Sequence, residues 1–213
     1  MPRFIALILS VCFLFTLGCS KAYYSGMEKL GYDKRDILSD RVENARESQQ
    51  EAKEQFASAL DRYKSVINFD GGELEEKYKT LKDEYEDCES QAEDVRDHIA
   101  SVEDVAQALF TEWADEINQY TNTKLKADSK KKLTATKRSY AKLIKAMKRA
   151  SAKMDPVLAA FKDQVLYLKH NLNAKAVASL EGELTSIRSN VDRLIKEMES
   201  SIAEADSFIK TLQ

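Results

Sequence analysis

Four apolar stripes run along the chain beyond its first 30 residues. They cover residues 38–66, 74–120, 133–172 and 177–212, and the second and third end at Tyr120 and Leu172. Beyond residue 198 the last stripe continues through Ile202, Ala205 and Ile209. Steps of three and four residues alternate along each stripe, which is the heptad spacing of helices packed side by side. No comparable run alternates strictly between apolar and polar residues, so the pattern predicts helices and no sheet.

Three short polar interruptions separate the stripes, at residues 68–72, 121–129 and 171–173. We expect Asp128 or Ser129 to cap the third helix and Asn173 to cap the fourth, because these side chains accept hydrogen bonds from free backbone N–H groups. Short connections between long helices require antiparallel neighbours. The prediction is an all-α fold, an elongated antiparallel bundle of about four long coiled-coil-like helices. Three helices with a detached arm are the alternative.

One proline lies within the third stripe. The stripe keeps its phase across Pro156, which favours a kink in one long helix over a break that starts a new helix at the proline. Gln164 lies beside the stripe, and His170, Asn171 and Asn173 follow at its end. Because buried amides can fix the register of packed helices, this segment is the first place to look for a structural or interaction site.

A second candidate is the apolar cluster at residues 109–113, which ends at Trp113. It widens the second stripe, so its members are expected in the core. A docking patch for a partner helix is the alternative interpretation.

A short apolar run precedes the stripes. Residues 4–15 form a 12-residue apolar run behind Arg3. This is shorter than the roughly 20 residues of a membrane-spanning helix and fits the apolar region of a secretory signal peptide. Gly18 and Cys19 follow, and the arrangement resembles the lipobox of bacterial lipoproteins, although Thr16 departs from the usual leucine.

The lipobox resemblance implies that residues 1–18 are removed and that Cys19 carries the acyl chains of a membrane anchor. Residues 19–213 would then form a single helical domain. The alternative is an ordinary signal peptide that is cleaved nearby and leaves Cys19 as a free thiol. By the same resemblance Ser20, which is not aspartate, implies an outer-membrane protein facing the periplasm. Cys88 falls on the second stripe and is expected to act as a small core residue.

Charge is distributed unevenly along the chain, although the net formal charge is only −3. Residues 27–122 hold 26 acidic and 12 basic side chains, whereas residues 124–153 hold 12 basic side chains and one acidic side chain. The basic segment either pairs with the acidic end of the second helix or binds an anionic partner such as lipid phosphate. The candidates for anion binding are Lys130, Lys131, Lys132, Lys137, Arg138, Lys142, Lys145 and Arg149.

The sequence contains no recognisable catalytic set. It has two histidines and lacks a glycine-rich phosphate loop, a nucleophile elbow and the common metal-binding motifs, so we predict no enzyme activity, no cofactor and no metal site. Nucleic acid is not an expected partner either, because the basic segment lacks the interleaved aromatic side chains that stack on bases.

Residues 31–38, 68–72, 109–113 and 154–176 resemble segments of a family of predicted proteobacterial lipoproteins that is known only as a domain of unknown function. The resemblance implies one undivided domain and no particular activity. The prediction is a non-enzymatic, lipid-anchored envelope protein that acts as a helical scaffold or protein-interaction module. Its partners would be the membrane, through acylated Cys19, and an envelope protein or a second copy of the chain. The alternative is a peripheral module that binds anionic lipid through residues 124–153.

Overall fold

The computed structural model describes residue 31 and residues 33–67 and 74–212, with the side chains of residues 174–176 excepted. Cys19, the lipobox and the predicted connection at residues 68–72 lie outside this part. Four helices account for nearly all of it: α1 (Lys34–Ile67), α2 (Leu74–Gln119), α3 (Thr123–His170) and α4 (Ala174–Leu212). The described residues contain no strand, which confirms the all-α prediction.

The helices form an antiparallel four-helix bundle. Each packs mainly against the two helices that flank it in a closed ring, with α1 adjacent to both α2 and α4. The α1–α2 pair is antiparallel, because Lys34 near the start of α1 contacts Glu112 near the end of α2 at 2.9 Å. All four helices share one core, so the alternative of three helices with a detached arm is wrong. At 1.5 Å per residue the 48 residues of α3 span about 72 Å.

The predicted stripes form this core, with corrections at their ends. Tyr120 lies beyond α2 and Leu172 lies between α3 and α4; both are exposed, because no helix continues there to cover them. Near the end of α4, Ser201 and Phe208 are buried, whereas the predicted Ile202 and Ile209 are only half-buried. The heptad steps run from Met198 through Ser201, so spacing determines which residue faces inward, although the next residue along is more apolar.

The connection between α2 and α3 is shorter than predicted. It comprises only residues 120–122, and Asn122 caps α3 by accepting hydrogen bonds from the backbone N–H groups of Lys124 and Leu125 at 3.0 and 3.1 Å. The predicted caps Asp128 and Ser129 are therefore wrong, since both lie within α3. The first turns of α3 are polar and bury little surface. The apolar stripe therefore begins about three turns after the helix does.

Two further predictions concern the course of the chain. Pro156 lies inside α3, which continues through it as one helix, so the alternative of two separate helices is wrong. Asn173 immediately precedes α4, and its backbone carbonyl accepts a hydrogen bond from the Val177 N–H at 3.3 Å, as expected of a residue at the start of a helix. None of the four helices, within the residues described, is long and apolar enough to cross a membrane.

Candidate interaction surface

The basic half of α3 divides into side chains that contact the rest of the bundle and side chains that do not. Lys148 contacts Glu103 of α2 at 2.6 Å, and Arg149 contacts Glu197 of α4 at 2.5 Å. Lys137 lies over the Phe110 ring, 5.5 Å from its centroid. Part of the charge asymmetry is therefore balanced inside the bundle, as one interpretation of the sequence predicted.

The remaining predicted anion-binding residues point away from the core. Lys132 pairs with Asp128 one turn earlier at 3.2 Å. The other five are exposed and form no ion pair within the described part of the chain: Lys130, Lys131, Arg138, Lys142 and Lys145. Four of them lie at heptad steps along the outward side of α3, and we call this set, Lys131, Arg138, Lys142 and Lys145, the outer basic stripe.

The position of the outer basic stripe follows from the geometry of the helix. Leu143 and Met147 on the same turns are fully buried, so side chains about half a turn away from them face solvent. From Lys131 to Lys145 the stripe extends about 21 Å at 1.5 Å per residue. Four cations at this spacing, none of which forms an ion pair among the described residues, form a linear positive surface that suits an anionic partner.

Trp113 links the end of α2 to the start of α3. Its indole Nε1–H donates a hydrogen bond to Ser129 Oγ at 2.9 Å, and the ring is half-buried against the core. It also lines a shallow groove with Lys34, Glu112 and Glu116. These contacts support the expected core role of Trp113, because its polar and apolar atoms are used within the bundle.

Among the described residues, three with polar side chains other than tyrosine are buried in the core: Ser48, Gln49 and Ser201. Neither amide atom of Gln49 and neither serine hydroxyl has a hydrogen-bond partner among the described residues. Gln49 and Ser201 lie at the same level, because the ion pairs Arg46–Asp206 and Lys53–Glu199 join α1 to α4 on either side of them. Gln49 lies within the first apolar stripe, residues 38–66, and heptad counting from Met198 would have found Ser201.

Titratable groups in the core are held in their neutral forms. Burial, with a smaller contribution from the charges of Glu84 and Asp87, raises the pKa of the Cys88 thiol to about 12. Burial also raises the pKa of Tyr140 to about 12, with Glu103 adding to the effect. A thiol that stays protonated at neutral pH is a poor nucleophile, so Cys88 behaves as the apolar core residue that its position predicted.

A sequence profile described as a protein of unknown function (DUF2959) matches residues 23–212, which include all four helices. The chain belongs to the DUF2959 family. A comparison with curated proteins found no match. Because the DUF2959 profile extends over the whole bundle, family membership supports the predicted resemblance to a domain of unknown function and assigns no activity.

The polar segment near the end of α3 lies at the pole of the DUF2959 bundle opposite Trp113. Gln164 is half-buried beside the core, while Pro156 and His170 are exposed. Asn171 ends the helix: its backbone N–H donates to the Leu168 carbonyl at 3.0 Å and its side-chain Nδ2 to the Tyr167 carbonyl at 2.9 Å. The carbonyls of Tyr167 and Leu168 at the end of α3 are thus bonded by Asn171, and the segment closes the helix.

No group of three or more His, Cys, Asp or Glu side chains is arranged to hold a metal ion within the part of the chain that the structure describes. The surface depressions described there are open grooves between neighbouring helices, such as the one that His98 lines with Asn44, Glu47 and Asp94. The DUF2959 bundle therefore offers long outer faces, the outer basic stripe among them, as its candidate interaction surfaces.

Proposed function

We propose that this protein is a non-enzymatic, lipid-anchored envelope protein whose helical bundle acts as a scaffold or protein-interaction module. The observation that carries the proposal is the single core, which all four helices share and which packed side chains fill. Binding must then use the outer surface. Cys19, placed directly behind an apolar run of signal-peptide length, supplies the expected attachment to the outer membrane on its periplasmic side.

The anchor can be tested separately from the scaffold. The native chain is purified from its own cells and its mass is compared with that of a Cys19→Ser variant. We expect the native chain to begin at Cys19 and to carry the added mass of two or three acyl chains, which the variant lacks. A mature chain without fatty acid would refute the anchor.

The scaffold role predicts contacts with another envelope protein or with a second copy of the chain. A photocrosslinking amino acid in place of Lys142 samples the outer basic stripe, and one in place of Ser186 samples an exposed position on α4. In intact cells we expect discrete protein adducts from position 142 and fewer from position 186, identified by mass spectrometry. Absence of protein adducts from both positions would contradict the interaction role of these faces.

A second candidate function is a peripheral module that binds anionic lipid, and the outer basic stripe favours it. Its test is salt-sensitive co-sedimentation of the unlipidated chain with vesicles containing phosphatidylglycerol. Changing Lys131, Arg138, Lys142 and Lys145 to Gln should abolish most of this binding. A control removes the same charge from four exposed lysines elsewhere: Lys77, Lys162, Lys196 and Lys210. Equal binding by both variants would exclude the stripe as the lipid site.

A further inference from the structure

The connection between α2 and α3 exposes two large apolar side chains. Tyr120 is 42% exposed in the connection and Leu125 is 53% exposed in the first turn of α3. We call residues 120–130 the α2–α3 corner. Exposed apolar side chains also occur at the opposite pole, where Leu166 is 50% exposed, so exposure alone does not distinguish the two ends.

Lysine side chains accompany the apolar side chains of the corner. The corner carries Lys124, Lys126 and Lys130, and its single acid, Asp128, is already paired with Lys132. Lys126 contacts the Asn118 carbonyl, whereas Lys124 and Lys130 are exposed and have no ion pair among the described residues. Exposed apolar side chains with lysines beside them can bind anionic lipid, since the apolar groups enter the headgroup boundary and the cations attract the phosphates.

The path of the chain places the corner at the same pole as the start of α1. Lys34 reaches Glu112 at 2.9 Å, and Trp113 reaches Ser129 at 2.9 Å, so the starts of α1 and α3 both lie beside the end of α2, at one pole of the bundle. From Cys19 to Asp33 the chain has 14 steps, a reach of at most about 50 Å. The 46 residues of α2 put the opposite pole about 69 Å further away. A lipid on Cys19 would therefore keep the corner within about 50 Å of the bilayer, whereas the other pole is free to lie much farther from it.

We propose that the α2–α3 corner docks on an anionic lipid surface, with Tyr120 and Leu125 at the headgroup boundary and Lys124 and Lys130 at the phosphates. This contact holds the bundle with its long axis pointing away from the membrane. It deepens the proposed function, on whose lipid anchor it rests, by adding a second point of attachment. One acyl anchor permits any orientation of the bundle, whereas an anchor and a docked corner together fix one.

The experiment measures the corner without the anchor. A chain of residues 19–213 with Cys19→Ser contains all four helices and the whole described core, so it retains the fold. Its partitioning is compared between vesicles of phosphatidylcholine alone and vesicles with added phosphatidylglycerol. We expect preferential binding to the anionic vesicles, reduced about tenfold or more by Lys124→Gln with Lys130→Gln. Equal partitioning into both kinds of vesicle would overturn the proposal.

Matched apolar variants locate the contact. Tyr120→Ser with Leu125→Ser should weaken binding to anionic vesicles several-fold, because binding scales with the apolar area that enters the interface. Leu166→Ser with Tyr167→Ser removes similar side chains at the opposite pole and should leave binding unchanged. All four side chains are well exposed, so circular dichroism should show intact bundles. Equal loss in both double variants, or a greater loss at the opposite pole, would refute the docking site.

A fluorescent label gives a readout that is independent of affinity. An environment-sensitive dye on Leu125→Cys should shift to the blue on anionic vesicles and be quenched by brominated acyl chains, whereas the same dye on Leu166→Cys should not. Cys88 is buried and does not compete for the reagent. If the chain from cells lacks fatty acid but the dye at position 125 still shifts to the blue on anionic vesicles, the anchor alone is refuted. If the chain is fatty-acylated but the dye at position 125 does not shift, the corner alone is refuted.

Discussion

Replacement of Gln49 by methionine should make the protein more stable. Gln49 is fully buried, and neither its amide nitrogen nor its amide oxygen has a hydrogen-bond partner among the described residues. Burying an amide in this state costs about 1–3 kcal/mol relative to an apolar group, as judged from mutational data. Methionine has a similar length and volume and is unbranched, so it can occupy the same space with little strain. We expect Gln49→Met to raise the free energy of unfolding by about 1–3 kcal/mol.

Urea unfolding followed by far-UV circular dichroism measures this change. For a domain of this size, 1 kcal/mol corresponds to about 2–4 °C in melting temperature, so a thermal melt provides a second estimate. Gln107→Met is the matched control, because Gln107 is exposed on α2 and the same substitution there should stay within about 0.5 kcal/mol. The urea dependence should be unchanged, so that a shifted midpoint reports stability alone.

A Gln49→Met variant that is as stable as the parent protein, or less stable, would refute the reasoning. It would mean that the buried amide of Gln49 has hydrogen-bond partners in the native protein. The polar layer formed by Gln49 and Ser201 would then stabilise the bundle. The layer also gives a hypothesis about register, since a buried polar residue can select one alignment of helices at a cost in stability. Sedimentation of Gln49→Met should then reveal additional oligomers that the parent lacks, and a single species of unchanged mass would contradict that hypothesis.

Three further substitutions or treatments probe single contacts. Tyr63→Phe removes the buried hydrogen bond from the Tyr63 hydroxyl to the Leu180 carbonyl at 2.8 Å and should cost about 1–2 kcal/mol in urea unfolding; a neutral result would mean the bond is not maintained. Pro156→Ala should stabilise the protein by about 1–3 kcal/mol, because an interior proline disrupts a helix and Pro156 is exposed within continuous α3; destabilisation would contradict this. Cys88, with its pKa raised to about 12, should resist a thiol reagent at pH 8 and react fully in denaturant; rapid native reaction would show an open core.

The sequence was sufficient to predict the helices because their heptad spacing is continuous. It failed where spacing and residue type disagree. Ile202 is apolar but lies one position away from the seam, and Ser201 takes the buried position because the helix repeats every 3.5 residues along the core regardless of which residue occurs there. Helix ends were misplaced for a related reason. The first turns of α3 protrude beyond the core and bury little, so no apolar pattern marks them.

The candidate surface was only partly predictable. The density of lysines in residues 124–153 was visible in the sequence, but the partner of each side chain depends on the rotation of α3 within the bundle. Arg149 reaches Glu197 on α4, a contact across 48 positions of the chain that no local pattern contains. The exposure of Tyr120 was likewise hidden, because an apolar residue at the end of a stripe looks the same whether or not a neighbouring helix extends far enough to cover it.

The segregation of charge serves two purposes on different sides of one helix. On the inward flanks of α3, Lys148 and Arg149 pair with acids of α2 and α4, and such partly exposed pairs contribute about 0–1 kcal/mol each. Stability alone therefore does not account for the outer basic stripe, whose members pair with nothing in the described bundle and repel one another. Like charges at these spacings cost the fold a little energy, and this is the feature that the proposed partner outside the chain would explain. If that partner is anionic, loss of the stripe should leave the melting temperature unchanged or slightly higher while it removes binding. A fall in melting temperature would assign the stripe to the fold instead.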